Sequence, residues 1–396
     1  MSARRFGPRP SSQLLLGLLV VGLSPAVAEA TPQFARRYER SCASCHLLPP
    51  ALNQDGLAFQ AGGYLAPGEP AQEAPKVARP HQLPLAAWIT TRFEDQGSGG
   101  ASDLFLPKVE LISGGRWGEA WSYFVEWRPV SLSLGSDGAL RDRGGRFEDL
   151  FVERSSGGRQ ALRVGQFRAV NQVDVSLRLS ASEPLLFNHG LPTGTHSDPR
   201  LTSLDRFSPA ARSPGLGYSL RSIAGSQRGD GLFHFLTLPF VGELSIPLSP
   251  EASESASFEL LGPPKGVYLE TFYRQGLRSI GGHVFASDDA WLATALGVFD
   301  VGKLLLTGGF GVDDRDGFGS RWRGSAQAEY FFAPSRHLHV APGLRVEEVG
   351  HDGGRPALLP YLALAAPGTR YTFLVQLEVR SEERGESLIF DLSAIF

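Results

Sequence analysis

Residues 84–396 predict an all-β fold, a transmembrane antiparallel β-barrel of about 16 strands, with a small helical segment ahead of it. Three observations lead there. Segments of about ten residues alternate apolar and polar side chains, longer than the strands of soluble sandwiches. The connections between them alternate long and short, as in bacterial barrels with loops on one side and turns on the other. A mean hydropathy of −0.10 excludes a bundle of apolar helices and suits strands that are half polar.

Residues 1–30 read as a secretory signal peptide. Arg4, Arg5 and Arg9 form the charged region, Leu14 to Leu23 the apolar core, and Ala26-Val27-Ala28 or Ala28-Glu29-Ala30 the cleavage site. The apolar run is too short to span a bilayer as a helix. Losing its three arginines and one glutamate shifts the formal charge from −3 to −5. That mild acidity offers no footprint for nucleic acid.

Residues 31–80 hold the only two cysteines, in Ser41-Cys42-Ala43-Ser44-Cys45-His46. C-x-x-C-H is the attachment signature of a c-type haem. Two thiols one helical turn apart add to the two porphyrin vinyl groups, and the next histidine supplies an axial imidazole. A thioredoxin-like dithiol or a structural disulfide needs no adjacent histidine, and no strand–helix–strand pattern precedes the motif. The expectation is one covalent haem c on Cys42 and Cys45, with His46 as proximal ligand. Export fits, because this attachment takes place outside the cytoplasm.

Arg36 to Cys45 is expected as the helix carrying the motif, stopped by Pro49 and Pro50. Leu57 to Ala61 is expected as a short turn, and Leu65 to Pro80, rich in Pro, Ala and Glu, as a linker. So small a segment has little core of its own, so the exposed porphyrin face must pack against the rest of the chain. The only methionine is Met1, which leaves with the signal peptide, so the sixth iron ligand is not methionine. His81, at the seam between segment and barrel, is the favoured distal candidate. His189 and His196 lie in a long connection, and His234 and His283 lie on predicted strands that could face the lumen.

Phe34-Ala35-Arg36 before the motif, then Pro50, Leu52, Asn53, Gly56, Phe59, Gly63 and Tyr64 after it, resembles the fused monohaem cytochrome–porins. These are the outer-membrane iron oxidases of iron-oxidising bacteria. The match covers about 35 residues and departs at Arg37 to Arg40, where the family usually has Gln-Thr-Gly, and at Leu57 and Gln60. The resemblance implies a porin-like barrel after the cytochrome segment and extracellular Fe(II) as the reductant.

The barrel stands on its own pattern. Trp121, Tyr123, Val125 and Trp127 oppose Ser122, Glu126 and Arg128. Tyr371, Phe373, Val375, Leu377 and Val379 oppose Thr372, Gln376, Glu378 and Arg380, and Ala326, Ala328 and Tyr330 oppose Ser325, Gln327 and Glu329. The last segment ends on Phe396, which resembles an outer-membrane assembly signal. Strands are expected to begin near Leu85, Phe105, Glu119, Phe147, Ala161, Gly215, Gly231 and Gly266. The second half begins them near Leu277, Asp289, Lys303, Arg321, Arg336, Ala357, Thr369 and Ser387. Long connections are Asp95–Asp103, Ser131–Gly144, Asn171–Pro214, Gly242–Lys265, Asp313–Gly319 and Gly350–Pro356. Ser155–Gly158, Gln275–Gly276, Ala333–Ser335 and Ala366–Gly368 are short, and Ser287–Asp288 breaks the rule.

Both chain ends then fall on the periplasmic side, so the haem segment can enter the lumen as a plug. Arg163, Arg221, Tyr268, Glu270, Arg274 and Arg380 are expected inward, able to bond propionates or simply to line a wet wall. Asn171–Pro214 is the candidate to fold inward from outside. Asp313, Asp314 and Asp316 are hard oxygen ligands suited to a cation, but a solvated acidic loop explains them without any ion, and they are not taken as a site. The leading function is outer-membrane electron transfer from extracellular Fe(II), or another reductant, to a periplasmic electron carrier. A physical reason favours this location, since iron oxidised inside the cell would precipitate there. A solute porin with a tethered haem, or a soluble periplasmic haem enzyme, are the alternatives.

Overall fold

Alternating segments pair edge to edge until the sheet meets itself. The computed structural model describes residues 33–64 except 39, and 84–395 except 98–100, 119, 135–137, 143–144, 157–158, 174–178, 183, 185, 187–207, 210–211, 225–228, 241–264, 288–289, 316–318, 336–337, 351–355, 368–371 and 383–384. The signal peptide, the linker, His81, His189, His196 and Phe396 therefore lie outside the described residues.

The first strands are β1 (Ala86–Asp95), β2 (Ser102–Trp117), β3 (Trp121–Val130), β4 (Arg146–Ser156) and β5 (Gln160–Arg168). Next come β6 (Arg212–Ala224), β7 (Gly231–Pro239), β8 (Val267–Gln275), β9 (Arg278–Ala286) and β10 (Ala290–Val301). The last are β11 (Leu304–Arg315), β12 (Gly319–Tyr330), β13 (Leu338–Gly350), β14 (Ala357–Pro367), β15 (Thr372–Glu382) and β16 (Gly385–Ile395). β12 resumes after Phe331 as Phe332–Ser335, and both pieces pair with β13. All neighbours are antiparallel, and β1 closes the barrel on β16 with Thr90 opposite Ser393. Their hydroxyls hydrogen-bond at 2.8 Å. The sixteen expected strands are these sixteen.

Each strand has two faces. On β8, Tyr268, Glu270, Phe272 and Arg274 are buried inside, whereas Leu269 and Tyr273 are 48% and 44% exposed outside. On β15 Gln376 and Glu378 point in while Leu377 points out, and on β12 Glu329 points in while Tyr330 points out. Short turns join the strands at one end, as at Gly276–Leu277, where Gly276 takes φ 62°.

The opposite end is less regular than expected. β11 runs to Arg315 and β12 starts at Gly319, so Asp313 and Asp314 belong to a strand and not to an outer loop. Asp313 points inward and pairs with Arg323 at 3.2 Å, both buried. A cross-strand partner turns what reads as an acidic loop into ladder. Asp316 lies outside the described residues.

Two intrusions occupy the lumen. The N-terminal one, the plug, comprises α1 (Gln33–Tyr38), a 3-10 turn at Cys42–Ser44, a small hairpin of His46–Leu48 with Ala51–Leu52, and α2 (Gln54–Ala61). The single helix expected over Arg36–Cys45 does not form, because Ser41 is extended (φ −70°, ψ 155°) and separates α1 from the turn. α2 starts earlier than expected, because Asn53 caps it by accepting the Gly56 N–H at 3.0 Å. The plug sits at the short-turn end. There Arg116 donates to the Gly62 carbonyl at 2.8 Å, and the Gly114 N–H donates to the Gln33 side chain at 3.1 Å. The second intrusion follows β5 and folds inward, as expected for Asn171–Pro214: Ala169, Val170, Gln172, Leu179, Ser180 and Leu186 are all buried.

Candidate functional site

The plug's fold is built around the Cys42–His46 turn. Asn53 donates to the carbonyls of Ala43 and Ser44 at 3.3 and 3.2 Å while capping α2, so one side chain ties the turn to the helix. Gly56 lies against the turn so closely that a Cβ would sit 2.1 Å from the Cys45 carbonyl oxygen, which excludes any side chain. Phe34 packs edge-on to Phe59 at 4.9 Å and stacks on Tyr64 at 5.3 Å. Tyr64 in turn stacks on Phe124 of β3 at 5.5 Å, carrying the aromatic core into the barrel wall.

Cys42 and Cys45 are not joined in a disulfide. Cys42 is buried, and its sulfur accepts a hydrogen bond from the Thr372 hydroxyl of β15 at 3.2 Å. Burial pushes its thiol above the ordinary value, and the Thr372 bond pulls the other way. His46 Nδ1 lies 2.9 Å from the Pro50 carbonyl oxygen. A carbonyl only accepts, so the ring proton sits on Nδ1 and the Nε2 lone pair is left for a ligand. Burial pushes the imidazole below its ordinary value and keeps it neutral.

A cavity of about 880 Å³ opens beside the turn, lined by Cys42, Cys45 and His46 and by inward residues of the wall. This lies within the ~300–1,000 Å³ range of cofactor sites. Trp88, Thr90, Ile112, Ser393 and Ile395 give it apolar and small polar walls, and Arg92, Lys108 and Arg128 give it cations. Two thiols on one turn, an oriented imidazole and a cavity beside them are the donors and the space a covalent haem would need.

Most of those cations are already engaged. Arg92 holds Asp391 at 2.7 and 2.8 Å. Glu110, 1% exposed, is bracketed by Lys108 at 2.9 Å and by Arg128. Arg128 and Arg146 meet Glu148 at 3.0 and 3.1 Å, and Arg212 meets Glu126 and Asp149 at 3.2 Å each. The inward parity of β1 to β4 signals this lattice in the sequence, but its pairing depends on which strands adjoin.

Of the residues expected to face inward, Arg163, Arg221 and Arg274 line the cavity. Arg163 lies over the Phe151 ring at 4.3 Å and holds Glu153 at 2.8 Å. Tyr268 and Glu270 are buried under the inward segment, and Arg380 shares the inward face of β15. His283 also points inward, with its ring 5.3 Å from that of Tyr268. His234 does not. Phe233 and Phe235 take the lumen on β7, and His234 faces outward. Among the described residues no three His, Cys, Asp or Glu side chains gather for a metal ion. The distal candidate His81 lies outside the described residues.

No known protein family matches the chain, and neither does any curated protein. Among solved structures it is similar to Salmonella typhi OmpF in complex with daunomycin, at 11% identity and TM-score 0.48, covering 79% of this chain and 97% of that one. It is similar too to OmpT of Vibrio cholerae, at 9% identity and TM-score 0.44, covering 79% and 96%. Pseudomonas putida OprB at low pH gives 10% identity and TM-score 0.43, covering 79% and 91%. At such TM-scores none of these likenesses bears on function.

Proposed function

We propose that the chain is an outer-membrane electron-transfer protein, with one haem c attached through Cys42 and Cys45 and ligated by His46. The observation that carries this reading is the turn itself: His46 is oriented by the Pro50 carbonyl and opens onto a cavity inside a closed barrel. The membrane placement is supported by the outer wall, where Leu216, Leu269, Ile280, Val284, Phe299 and Leu344 are exposed on β6, β8, β9, β10 and β13. A haem bound there supplies a one-electron couple between the cell exterior and a periplasmic carrier. Cys42 and Cys45 would hold it covalently, and His46 would ligate its iron through Nε2. Thr90, Ser393 and Ile395 would leave room for its face. Fe(II) remains the proposed reductant.

Mixing the purified holoprotein with Fe(II) tests this reading. Reduction within seconds, with haem stain that survives a denaturing gel, is the expected outcome.

A solute porin is the second reading, favoured by the charged lining of the lumen. Free passage of small solutes into liposomes, with a haem inert to Fe(II), would decide for the porin.

A further inference from the structure

On the outer wall, three polar side chains interrupt an apolar face. Ser222 of β6, His234 of β7 and Thr271 of β8 stand next to each other on adjacent strands. Their chain neighbours Arg221, Phe233 and Phe272 line the lumen, so these three point the other way. Ser222 Oγ is 2.9 Å from His234 Nε2, and His234 Nδ1 is 3.1 Å from Thr271 Oγ1. Tyr218, Leu236, Leu269, Ile223 and Tyr273 surround them, each 37–57% exposed.

Polar groups on a lipid-facing wall are costly, and an ionisable one there marks a functional site. Ser222 is also the extra residue of a β-bulge. Arg221 pairs with Phe233 and Ile223 pairs with Leu232, so the ladder skips Ser222. Bulges re-aim a side chain and release its backbone from the ladder.

We infer that Ser222, His234 and Thr271 form an acyl-hydrolase site for the ester bonds of a membrane glycerophospholipid. The inference rests on the barrel spanning a membrane and is independent of the haem. A nucleophile within hydrogen-bond reach of a base, itself oriented by a third group, is the arrangement that activates a serine. The Thr271 oxygen accepts from Nδ1–H, which turns the Nε2 lone pair toward Ser222. Ser222 Oγ attacks the ester carbonyl carbon while its proton passes to Nε2. The bond from that carbon to the glycerol oxygen then breaks, and His234 returns the proton to the departing oxygen. Lysophospholipid leaves, and the acyl group stays on Ser222. A water deprotonated by the same Nε2 cleaves that ester, giving a fatty acid and restoring Ser222. Electrons and protons balance with water as the one co-reactant.

Depth agrees with this substrate. β6 ends at Ala224 and β8 at Gln275, so the site lies a few residues from the short-turn rim. Tyr273 and Ile223 stand at the level of the interfacial aromatics, where lipid esters lie. Tyr218, Leu236 and Leu269 continue toward the bilayer centre, where an acyl chain runs.

The test uses the full chain in detergent micelles containing phosphatidylethanolamine, with a fluorophosphonate probe and a fatty-acid assay. The probe is expected on Ser222, located by mass spectrometry. Ser222→Ala and His234→Ala are each expected to cut release by about 100-fold or more. Thr271→Val, a change at a positioning residue, is expected to lower kcat with KM unchanged, and Thr271→Ser to restore it. Heat-modifiable gel mobility confirms that each variant folds. A folded protein that takes no probe on Ser222, or that releases fatty acid equally well as Ser222→Ala, overturns the inference. Flotation with liposomes checks the membrane reading separately, and its failure removes lipid as the substrate whatever the probe shows.

Discussion

The plug and the segment after β5 meet the same barrel wall with different chemistry. The plug is seated by apolar contact. Leu48 is fully buried among Leu179, Ala341, Tyr361, Ala363, Ala365 and Leu374, and Tyr64 stacks on Phe124. The inward segment adds polar anchors to apolar contacts of its own, where Val170 and Leu186 bury against Leu296. Glu270 accepts the N–H groups of Asn171 and Gln172 at 2.8 and 2.9 Å, and Arg274 donates to the Gln172 carbonyl at 2.7 Å. Further along, Arg345 donates to Ser180 at 2.7 Å, Gln376 donates to the Leu179 carbonyl at 2.7 Å, and Glu378 receives Ser182. The two intrusions thus differ in the anchoring each adds, and they share one apolar cluster where Leu48 of the plug meets Leu179 of the segment. Inward-facing does not mean polar in this barrel, and Leu374 is inward because the plug covers it.

Changes to each intrusion's anchoring test that contrast. The largest effect belongs to the plug's chemistry. The double change Cys42→Ala and Cys45→Ala should abolish covalent haem stain on the denatured band while leaving the barrel's heat-modifiable mobility intact. Stain that persists would remove the haem assignment.

On the charged side, Glu270→Ala leaves the buried N–H groups of Asn171 and Gln172 without their acceptor, a loss of about 1–3 kcal/mol. It should appear as earlier unfolding in urea and as new protease cleavage after β5, with the plug still protected. Leu48→Ala should cost about 2–5 kcal/mol and act chiefly on the plug, with a smaller effect on the segment through Leu179, which packs on Leu48. If both variants loosen both intrusions equally, the two are one cooperative unit and the contrast fails. Thr372→Val is the smallest change. It removes only the bond to Cys42 and should cost about 0.5–1.5 kcal/mol. In the haem-free protein it should also change Cys42 alkylation, read as a shift in the pH at which that thiol reacts.

The strands were legible because period-2 alternation and turn residues are local, and all sixteen were visible in that pattern. What a strand meets was not. Asp313 reads as loop until Arg323 is known to stand beside it. The run Leu232-Phe233-His234-Phe235-Leu236 is nearly apolar at every position, so alternation alone cannot say which side His234 takes. Arg36 to Cys45 has continuous helical propensity, and only the extended Ser41 divides it. At the candidate site, spacing singled out Cys42, Cys45 and His46, and the structure sets them on one turn beside the cavity. The purposes of Asn53 and Gly56 were not, because both depend on carbonyls of the turn that packs against them.

The Cys42 sulfur, covered in the finished fold and touched by the second-to-last strand, bears on the order of biogenesis. An enzyme that joins a porphyrin to this thiol needs room around it, and a closed barrel offers none. If the proposed haem is attached, its bond would be made while the N-terminal segment is still outside, before β16 reaches β1. The barrel would then assemble around a cargo already loaded, much as a ship's hull is planked around its engine. A chain that closes unloaded would be trapped in that state, so the cell's supply of attached cofactor, and not the folding of the strands, would set how much working protein reaches the membrane.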